Sequence, residues 1–491
     1  MMLNSVVVRT LASISSEVYY VGGFVRDLLL GRPSKDVDIA TDIPYQEVIN
    51  ALKGVGLNPV VINQDLNVVQ VKEDGIEFEI ARFRTESYPK GGSLRPESYN
   101  FIRDVVKDLE RRDFTINAIA LHVQCPSAVA VEEYLVDPFF GVADIKAKAL
   151  RAVGYNESYM NGLNRFKESP VRIMRGHRFV AQLGFQMDLG TFEAVKECSP
   201  MLSDVAKVPT EQVAREFLKL LASPYASEGV RSMQRANTLG VVLPEMAHLP
   251  GHEQNPKYHT LDAFDHTLQV LDGAVENGED LPMLLSTFLH DCAKGIYKNT
   301  YYVETYSQQD MPQNDLDHDD RGADLAYDIC VNKFQVGKDV AKQVRTLVKF
   351  HMIRCSLERA SFVRFVRKVA SHCTSKNQLK EMLERLIRHK TYDNRASKVA
   401  AEGDLIKLEN LYKSVIDSTY FYPHEMMICG KDVINLIPEY DQKTHGKMVG
   451  DILRRCLLLI QQHPERNSVE ELTSYVEKQV NVRGIQSTPL V

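Results

Sequence analysis

The stretch "VGGFVRDLLLGRPSKDVDIATD", Val21 to Asp42, constrains this chain more than any other. Asp36 and Asp38 stand i, i+2 among valine and isoleucine, so on a strand both carboxylates leave the same face. Two like charges on one face of a buried strand repel and are costly unless a cation sits between them. A bare Asp-x-Asp is as well explained by a solvent-facing strand edge, but what precedes it narrows the choice. Gly22 and Gly23 let the backbone approach a ligand closely, and their turn runs into a helix around "VRDLLL" whose first N–H groups, with Arg26, suit phosphate. A phosphate cradle beside a pair of carboxylates fits nucleotidyl transfer.

That chemistry needs a third carboxylate. "GIEFEIARFR" alternates as a strand does, with Glu77 and Glu79 on one face, and Glu79 is the candidate; a solvent face for both is the other reading. Three carboxylates can hold two Mg²⁺ ions, one lowering the pKa of an attacking 3′-hydroxyl and one stabilising the leaving pyrophosphate. "DLERRDFTINAIA" reads as the opening of a helix in which Asn117 lies four residues beyond Asp113 on the same face. Arg111 and Arg112 suit phosphate oxygens, and Asp113 suits ribose hydroxyls. Capping and surface charge would explain the same residues without a ligand.

At 491 residues the chain exceeds one ordinary core, and about two to four domains are expected. Hydrophobic content of 44% and charge of 25% are those of a soluble globular protein. No apolar run reaches the roughly 18 residues that span a membrane. A net charge of −6 means that a polyanionic partner must be held by a local basic surface. Eight singly scattered cysteines without a CxxC fit a reducing cytoplasm, and "MMLNSVVVRTLASISSEVYY" reads as a helix leading into a strand, not a signal. Up to about Gly154 β-branched runs mix with helical pieces; from about Glu168 the spacing is almost entirely helical. Prolines in "LPEMAHLPGHEQNPKYH" mark a boundary, and "STYFYPHEMMICGKD" marks another.

The ordered series "VGGFVRDLLLGRPSKDVDIAT", "FEIARFRTE", "RRDFTINAIA", "DPFFGVADIKAKALRAVG" and "ESPVRIMRGHRFVAQLGF" resembles the class II, bacterial-type CCA-adding tRNA nucleotidyltransferases and their relatives, the bacterial poly(A) polymerases. The resemblance runs from about Val21 to about Pro464 and includes a neck helix pair at "TEQVAREFLKLLASPYASEGVRSMQRANTLGVVLPEM". It implies that Asp36, Asp38 and Glu79 hold Mg²⁺ and are catalytic, and that Gly22, Gly23, Arg26, Arg111, Arg112, Asp113 and Asn117 contact the nucleotide. "RTE" at Arg84 to Glu86, followed by "RPESYNF", resembles the flexible loop that helps close the site. In the neck the family reads the incoming base with a Glu-Asp-x-x-Arg template. This chain has "ESPVR", with Glu168, Arg172, Arg175 and Arg178 in place but Ser169 where the template aspartate stands. A hydroxyl accepts a hydrogen bond from an exocyclic amine without charge assistance, so weaker discrimination between bases is expected.

Further on, "YHTLDAFDHTLQVLDG" and "LLSTFLHDCAKG" place His266, His290 and Asp291 in an H…HD pattern; "LDHDDRGADLA" adds His318 and "VRTLVKFHM" adds His351, with Asp393 a distal aspartate. Neutral imidazoles with a carboxylate make a good divalent transition-metal set. The segment resembles the HD phosphohydrolase domain, which implies phosphatase or 2′,3′-cyclic phosphodiesterase activity suited to trimming RNA ends. The fold expected is α+β: a small mixed polymerase-β-type head with a sheet at 1–154, an all-helical neck at 155–250, an HD body at 251–400 and a helical tail at 401–491. The function implied is addition of CCA to tRNA 3′ ends from CTP and ATP, in the cytoplasm, without membrane or protein partner. An A-adding enzyme or poly(A) polymerase is the nearest alternative, and an HD phosphohydrolase or RNA-binding protein with a silent head the alternative of another class. Lys447, Arg454 and Arg455 in the tail could face RNA phosphates, although a solvated helix face explains them equally.

Overall fold

In the computed structural model the described residues are 5–34, 36–89, 93, 96–125, 131–206, 208–295, 317–398, 402–438 and 440–482. Part of the expected loop, 90–92 with 94 and 95, lies outside them. The chain divides into two compact units, one of Met1–Ala247 with Asn332–Gln335 and one of His248–Val331 with Val336–Val491.

The first unit is mixed α and β, as its β-branched runs predict. A seven-stranded sheet has the order β3-β4-β5-β2-β1-β8-β9, with β1 Val18–Val21, β2 Asp36–Thr41, β3 Val60–Asn63, β4 Val68–Glu73, β5 Ile76–Arg82, β8 Ala120–His122 and β9 Leu135–Val136, while β6 Arg84–Ser87 and β7 Ser98–Phe101 pair as a separate antiparallel hairpin. Only β2 and β5 run parallel; β1 is antiparallel to both β2 and β8. Their register sets Asp36 against Glu77 and Asp38 against Glu79, so the four carboxylates share one face. On the other face Val37, Ile39, Phe78, Ile80, Val69 and Val71 are buried. The carboxylate face continues through Ala40 into a core of Tyr19, Val21, Phe83, Leu109 and Val153. Asp36 and Asp38 therefore stand where the strand leaves that core, with Asp36 exposed and Asp38 partly buried.

Helix α1 spans Val6–Ile14, capped by Ser5, and leads into β1 as expected. Helix α2, Gly22–Leu29, starts on the glycine pair: Gly22 has φ +66°, and a Cβ there would come within 3.1 Å of Arg112 Nη1 and Asp38 Oδ2. Glycine is required at that start both for its backbone angle and for the space. One expectation is corrected. Arg111-Arg112-Asp113 do not open a helix; they follow helix α4, Val105–Glu110, and are succeeded by a 3₁₀ turn, Thr115–Asn117. Asp104 caps α4 by accepting from Val106 and Lys107 N–H, which fixes the start of that helix seven residues before Arg112. Beyond the sheet the unit is mainly helical, with α6 at Ser158–Glu168 and α7 at Val171–Leu183, and a short parallel strand pair joins Ala149–Leu150 to Gln186–Met187. Pro170 starts α7 and Gly184, with φ +70°, ends it.

The second unit is helical among the described residues. Its helices include Ala263–Glu276, Leu281–Leu289, His318–Asp328, Lys338–Phe350 and Lys376–Arg395. Met426, Val433, Ile452, Cys456, Ile460, Leu472 and Val476 form a further core near the C-terminus. No helix among the described residues is long and apolar enough to cross a membrane.

Candidate active site and metal centre

A cleft of about 1020 Å³ in the first unit gathers most of the residues singled out in the head and neck. It is lined by Gly22, Gly23, Arg26, Asp36, Asp38, Glu79, Arg111, Arg112, Asp113, Asn117, Ser169, Arg172, Arg175 and Arg178. Glu168 does not line it; it sits behind, accepting from Arg165 at 2.6 Å and from Arg172 at 2.8 Å.

The carboxylates are strained by one another. Burial raises the pKa of Asp38, Arg112 opposes that rise, and the neighbouring Asp36 adds to it. Burial and then Asp38 raise that of Glu79. Glu77, by contrast, is engaged by Gln70 and Lys72 on β4, which leaves Glu79 as the third member of the set. An oxygen-only donor set of mutually repelling carboxylates on one face of two adjacent strands fits a hard divalent cation. Its donor atoms are more widely spaced than in a closed metal cluster, since the triads with all donor atoms within 4.8 Å lie in the second unit among the described residues.

Opposite the carboxylates stands a wall of held cations. Arg26 donates from Nη1 to Asn117 Oδ1 at 2.8 Å and pairs with Asp27. Asp113 is buried and accepts from Arg175 Nε at 2.6 Å, from the Phe114 N–H at 2.8 Å and from Asn117 Nδ2 at 3.3 Å. Burial alone would raise the Asp113 carboxyl, but Arg175 overrides it and holds the group far below the carboxylate range. Asp113 is thus already saturated with donors, and its role is to fix Arg175 and Asn117 as much as to meet a ligand. Arg172 Nη2 donates to the Arg111 carbonyl at 2.8 Å, tying the start of α7 to the end of α4. Arg178 pairs with Glu216 at 2.5 Å and lies over the Phe179 ring at 4.2 Å.

Asp108 and Tyr88, which the sequence reading did not assign, complete the wall together with Glu86 of the expected loop. Asp108, 1% exposed at its side chain, accepts from Arg111 at 2.7 Å and from Arg112 at 3.2 Å. Glu86 bridges Arg84 at 2.8 Å and Arg111 at 3.1 Å, and Tyr88 donates to Glu86 at 2.8 Å while facing the Arg172 guanidinium. The spacing of "DLERR", acid then arginines at i+3 and i+4, was the available signal for Asp108.

In the second unit His266, His290, Asp291, His318 and His351 are all buried and close together. His266 Nε2 lies 3.0 Å from Asp393 Oδ1, His290 Nε2 3.1 Å from Asp291 Oδ2, and His318 Nε2 3.4 Å from Asp291 Oδ1. Burial would raise the Asp291 carboxyl, but His290, Lys294 and His318 hold it well below its ordinary value. Burial, reinforced by His290 and His318, keeps His351 neutral, the form in which imidazole binds a metal. Lys294 and Lys390, absent from the sequence reading, pair at 2.7 Å with Asp291 and Asp393 respectively. All but His266 and His290 line a cavity of about 510 Å³.

Residues 18–151 match the family model described as the poly A polymerase head domain, and residues 184–249 that described as the probable RNA and SrmB-binding site of polymerase A. The chain is 42% identical over 217 residues, 44% of its length, to a CCA-adding enzyme of Streptococcus pyogenes serotype M2 (strain MGAS10270), and 41% identical over the same span to that of serotype M5 (strain Manfredo). The match spans about half, 48%, of these curated relatives' length. Among solved structures, the Bacillus stearothermophilus CCA-adding enzyme in complex with CTP aligns over 98% of this chain and 97% of its own, with TM-score 0.63 and 22% identity. The Thermotoga maritima CCA-adding enzyme complexed with tRNA_CCA aligns over 96% and 93%, with TM-score 0.54 and 18% identity. The sheet-bearing head followed by helices is thus the fold of those enzymes, and residues 18–151 are similar to the poly A polymerase head domain.

Proposed function

We propose that this protein adds CCA to the 3′ ends of tRNA from CTP and ATP, by nucleotidyl transfer that uses Mg²⁺. The observation that carries the reading is the single cleft that combines Asp36, Asp38 and Glu79 with the arginine wall and with Ser169 and Arg172. A divalent ion held by the three carboxylates would supply Lewis acidity at the reacting phosphate. In the transfer the 3′-oxygen of the RNA forms a bond to the α-phosphorus and the bond to pyrophosphate breaks. The α2 start, with Gly22, Gly23 and Arg26, cradles phosphate oxygens, and Arg111 and Arg112 offer further donors to the triphosphate. Ser169 and Arg172, at the α6–α7 junction, face the cleft where an incoming base can be read by hydrogen bonding. We assign the reaction to the cytoplasm, a reading supported by cysteines that are unbridged among the described residues.

Ser169 favours a second reading, an enzyme that adds A only. A labelled tRNA lacking its 3′ end, supplied with CTP, ATP or both, separates the two. Two Cs from CTP and a terminal A with both nucleotides support CCA addition. A single A placed only on a CC end marks an A-adding enzyme, a long A ladder marks a poly(A) polymerase, and no extension overturns the nucleotidyltransferase reading.

For the second unit we infer a divalent transition-metal centre of HD type that hydrolyses phosphoesters at RNA ends, supported by the buried His/Asp cluster. Release of phosphate from 3′-phosphate or 2′,3′-cyclic RNA ends, lost in His290→Ala, tests it.

A further inference from the structure

We propose that the edge strand β3 and the turn after it, through Ile62, Asn63 and Leu66, seat the 3′-terminal nucleoside of the RNA that is extended. The inference rests on the nucleotidyl-transfer reading just given and goes beyond it by assigning the RNA end its place.

The chemistry fixes a direction. In phosphoryl transfer the attacking and leaving oxygens stand roughly in line across the phosphorus. The leaving pyrophosphate is held at the start of α2, which follows β1, and a Cβ on Gly22 would come within 3.1 Å of Asp38 Oδ2, so that start abuts β2. In the sheet β1 borders β2 on one side and β5 borders it on the other. The attacking 3′-oxygen therefore arrives from the β5 side, by Glu79, and the nucleoside that carries it lies over β4 and β3. β3 is two strands beyond β5, roughly 10 Å at ordinary strand spacing, which is within the reach of one nucleoside.

The surface met there suits a base. β3 stands at the end of the strand order, and its Val60, Val61 and Ile62 are 59%, 38% and 53% exposed. Edge strands are ordinarily blunted by charge or proline, and "VVIN" carries neither. Along one row of the face the register runs Asp38, Glu79, Gln70, Val60, so carboxylates give way to an amide and then to an apolar side chain. The pairing of β3 with β4 shifts between Val61 and Asn63, the kind of irregularity that re-aims a side chain, and Ile62, Asn63 and Leu66 line the same cleft as the carboxylates. Asn63 Oδ1 accepts from the Leu66 N–H at 2.9 Å, which holds the turn that carries Leu66. The apolar edge is continuous with the reaction site, and that continuity names its occupant. Packing against the face of a base leaves its edge unread, so one seat can serve whichever nucleotide ends the RNA as additions succeed one another.

The test maps the RNA end and then weighs it. A tRNA lacking CCA and ending in 4-thiouridine is bound to the full-length protein with Mg²⁺, irradiated, and the crosslinked peptide identified. Attachment within residues 60–66 is expected; attachment on the arginine wall or in the second unit overturns the seat. In steady-state extension Ile62→Ser should raise KM for the truncated tRNA by roughly tenfold, the effect of one lost apolar contact, with KM for CTP within about twofold. Ile62→Leu should restore the tRNA KM, which a collapse of the strand would not allow. An unchanged tRNA KM overturns the proposal, as does an equal rise in both KM values. A dimer in sedimentation that Ile62→Ser abolishes without altering tRNA KM would give the edge to a second copy of the chain and overturn it too. Crosslinking within 60–66 by a protein that extends no tRNA would keep the seat and sink the CCA-adding reading, while extension with crosslinking elsewhere would do the reverse.

Discussion

Asp108 holds two arginines of the cleft from beneath, and its own environment shows the cost of losing it. Burial would raise its carboxyl, but Arg111 and Arg112 hold it below the usual range. Asp108→Ala leaves both guanidinium groups without their anchor and is expected to destabilise the fold by about 2–4 kcal/mol, less than a wholly buried pair because the arginines keep some water. Nucleotide addition should fall by roughly a hundredfold through misplaced arginines; urea unfolding and single-turnover extension check the two effects. His177 makes a pH-dependent prediction. It is buried between Ser232 Oγ and Thr238 Oγ1, each 2.9 Å away, and burial depresses its pKa from 6.5 to about 3. The unfolded chain takes up a proton below pH 6.5 that the folded chain refuses, so the stabilisation from a neutral His177 is present above 6.5 and lost as pH falls towards 3. His177→Gln should flatten the slope of unfolding free energy between pH 7 and 5 relative to the unsubstituted protein; an unchanged slope would refute the assignment. At this scale the residues carried by spacing, such as Asp38 beside Glu79, were legible in the sequence. Asp108 was not assigned, and Glu86 was named only within the expected loop, because their partners are set by the meeting of a helix end with a hairpin.

Among elements, the segment around Arg111 to Asn117 shows where periodicity misleads. Asp113 and Asn117 are four apart as on a helix, yet they meet at 3.3 Å across a 3₁₀ turn that follows a helix end. The apolar residues Phe114, Ile116 and Ile119 are fully buried, and tertiary packing overrides the local helical pattern. That turn is braced by α5, Gly141–Ala147, where a Cβ on Gly141 would fall 2.2 Å from the Thr115 carbonyl oxygen. Backbone cannot yield as a side-chain tip can. Gly141→Ala should therefore shift the turn and with it Asn117 and Arg26, costing about 1–3 kcal/mol of stability and raising KM for the nucleotide. A crystal structure or thermal melt together with KM measurements checks it; an unaltered KM would show that the turn does not position the site. The strands were easier to read, because "FEIARFR" and "DVDIAT" alternate cleanly and each pairs so as to put its acids on the same face.

Across the whole molecule, the sequence showed a sheet-bearing start followed by helices because β-branched alternation and helical spacing are local signals. His266, His290, Asp291, His318 and His351 were legible as one metal-binding set, with Asp393 its distal aspartate, but the 3.0 Å approach of His266 to Asp393 was not, since the two lie more than a hundred residues apart in the chain. Each site lies wholly within its own unit: the carboxylate cleft in the first, the histidine cluster in the second. Sites with no shared residue should fail independently. Asp38→Asn is expected to lower nucleotide addition by about a thousandfold or more, the loss of several kcal/mol of charge stabilisation. It should leave metal-dependent phosphoester hydrolysis within about twofold of the unsubstituted protein, and His290→Ala should do the reverse. Both rates are measured on the same preparation, extension of a truncated tRNA on one side and phosphate release on the other. If Asp38→Asn abolished both, the hydrolysis would belong to the head or depend on its product, and the second unit would have to be read as a structural relic of a metal site. If His290→Ala alone reduced extension, the second unit would support tRNA use rather than hydrolyse on its own account.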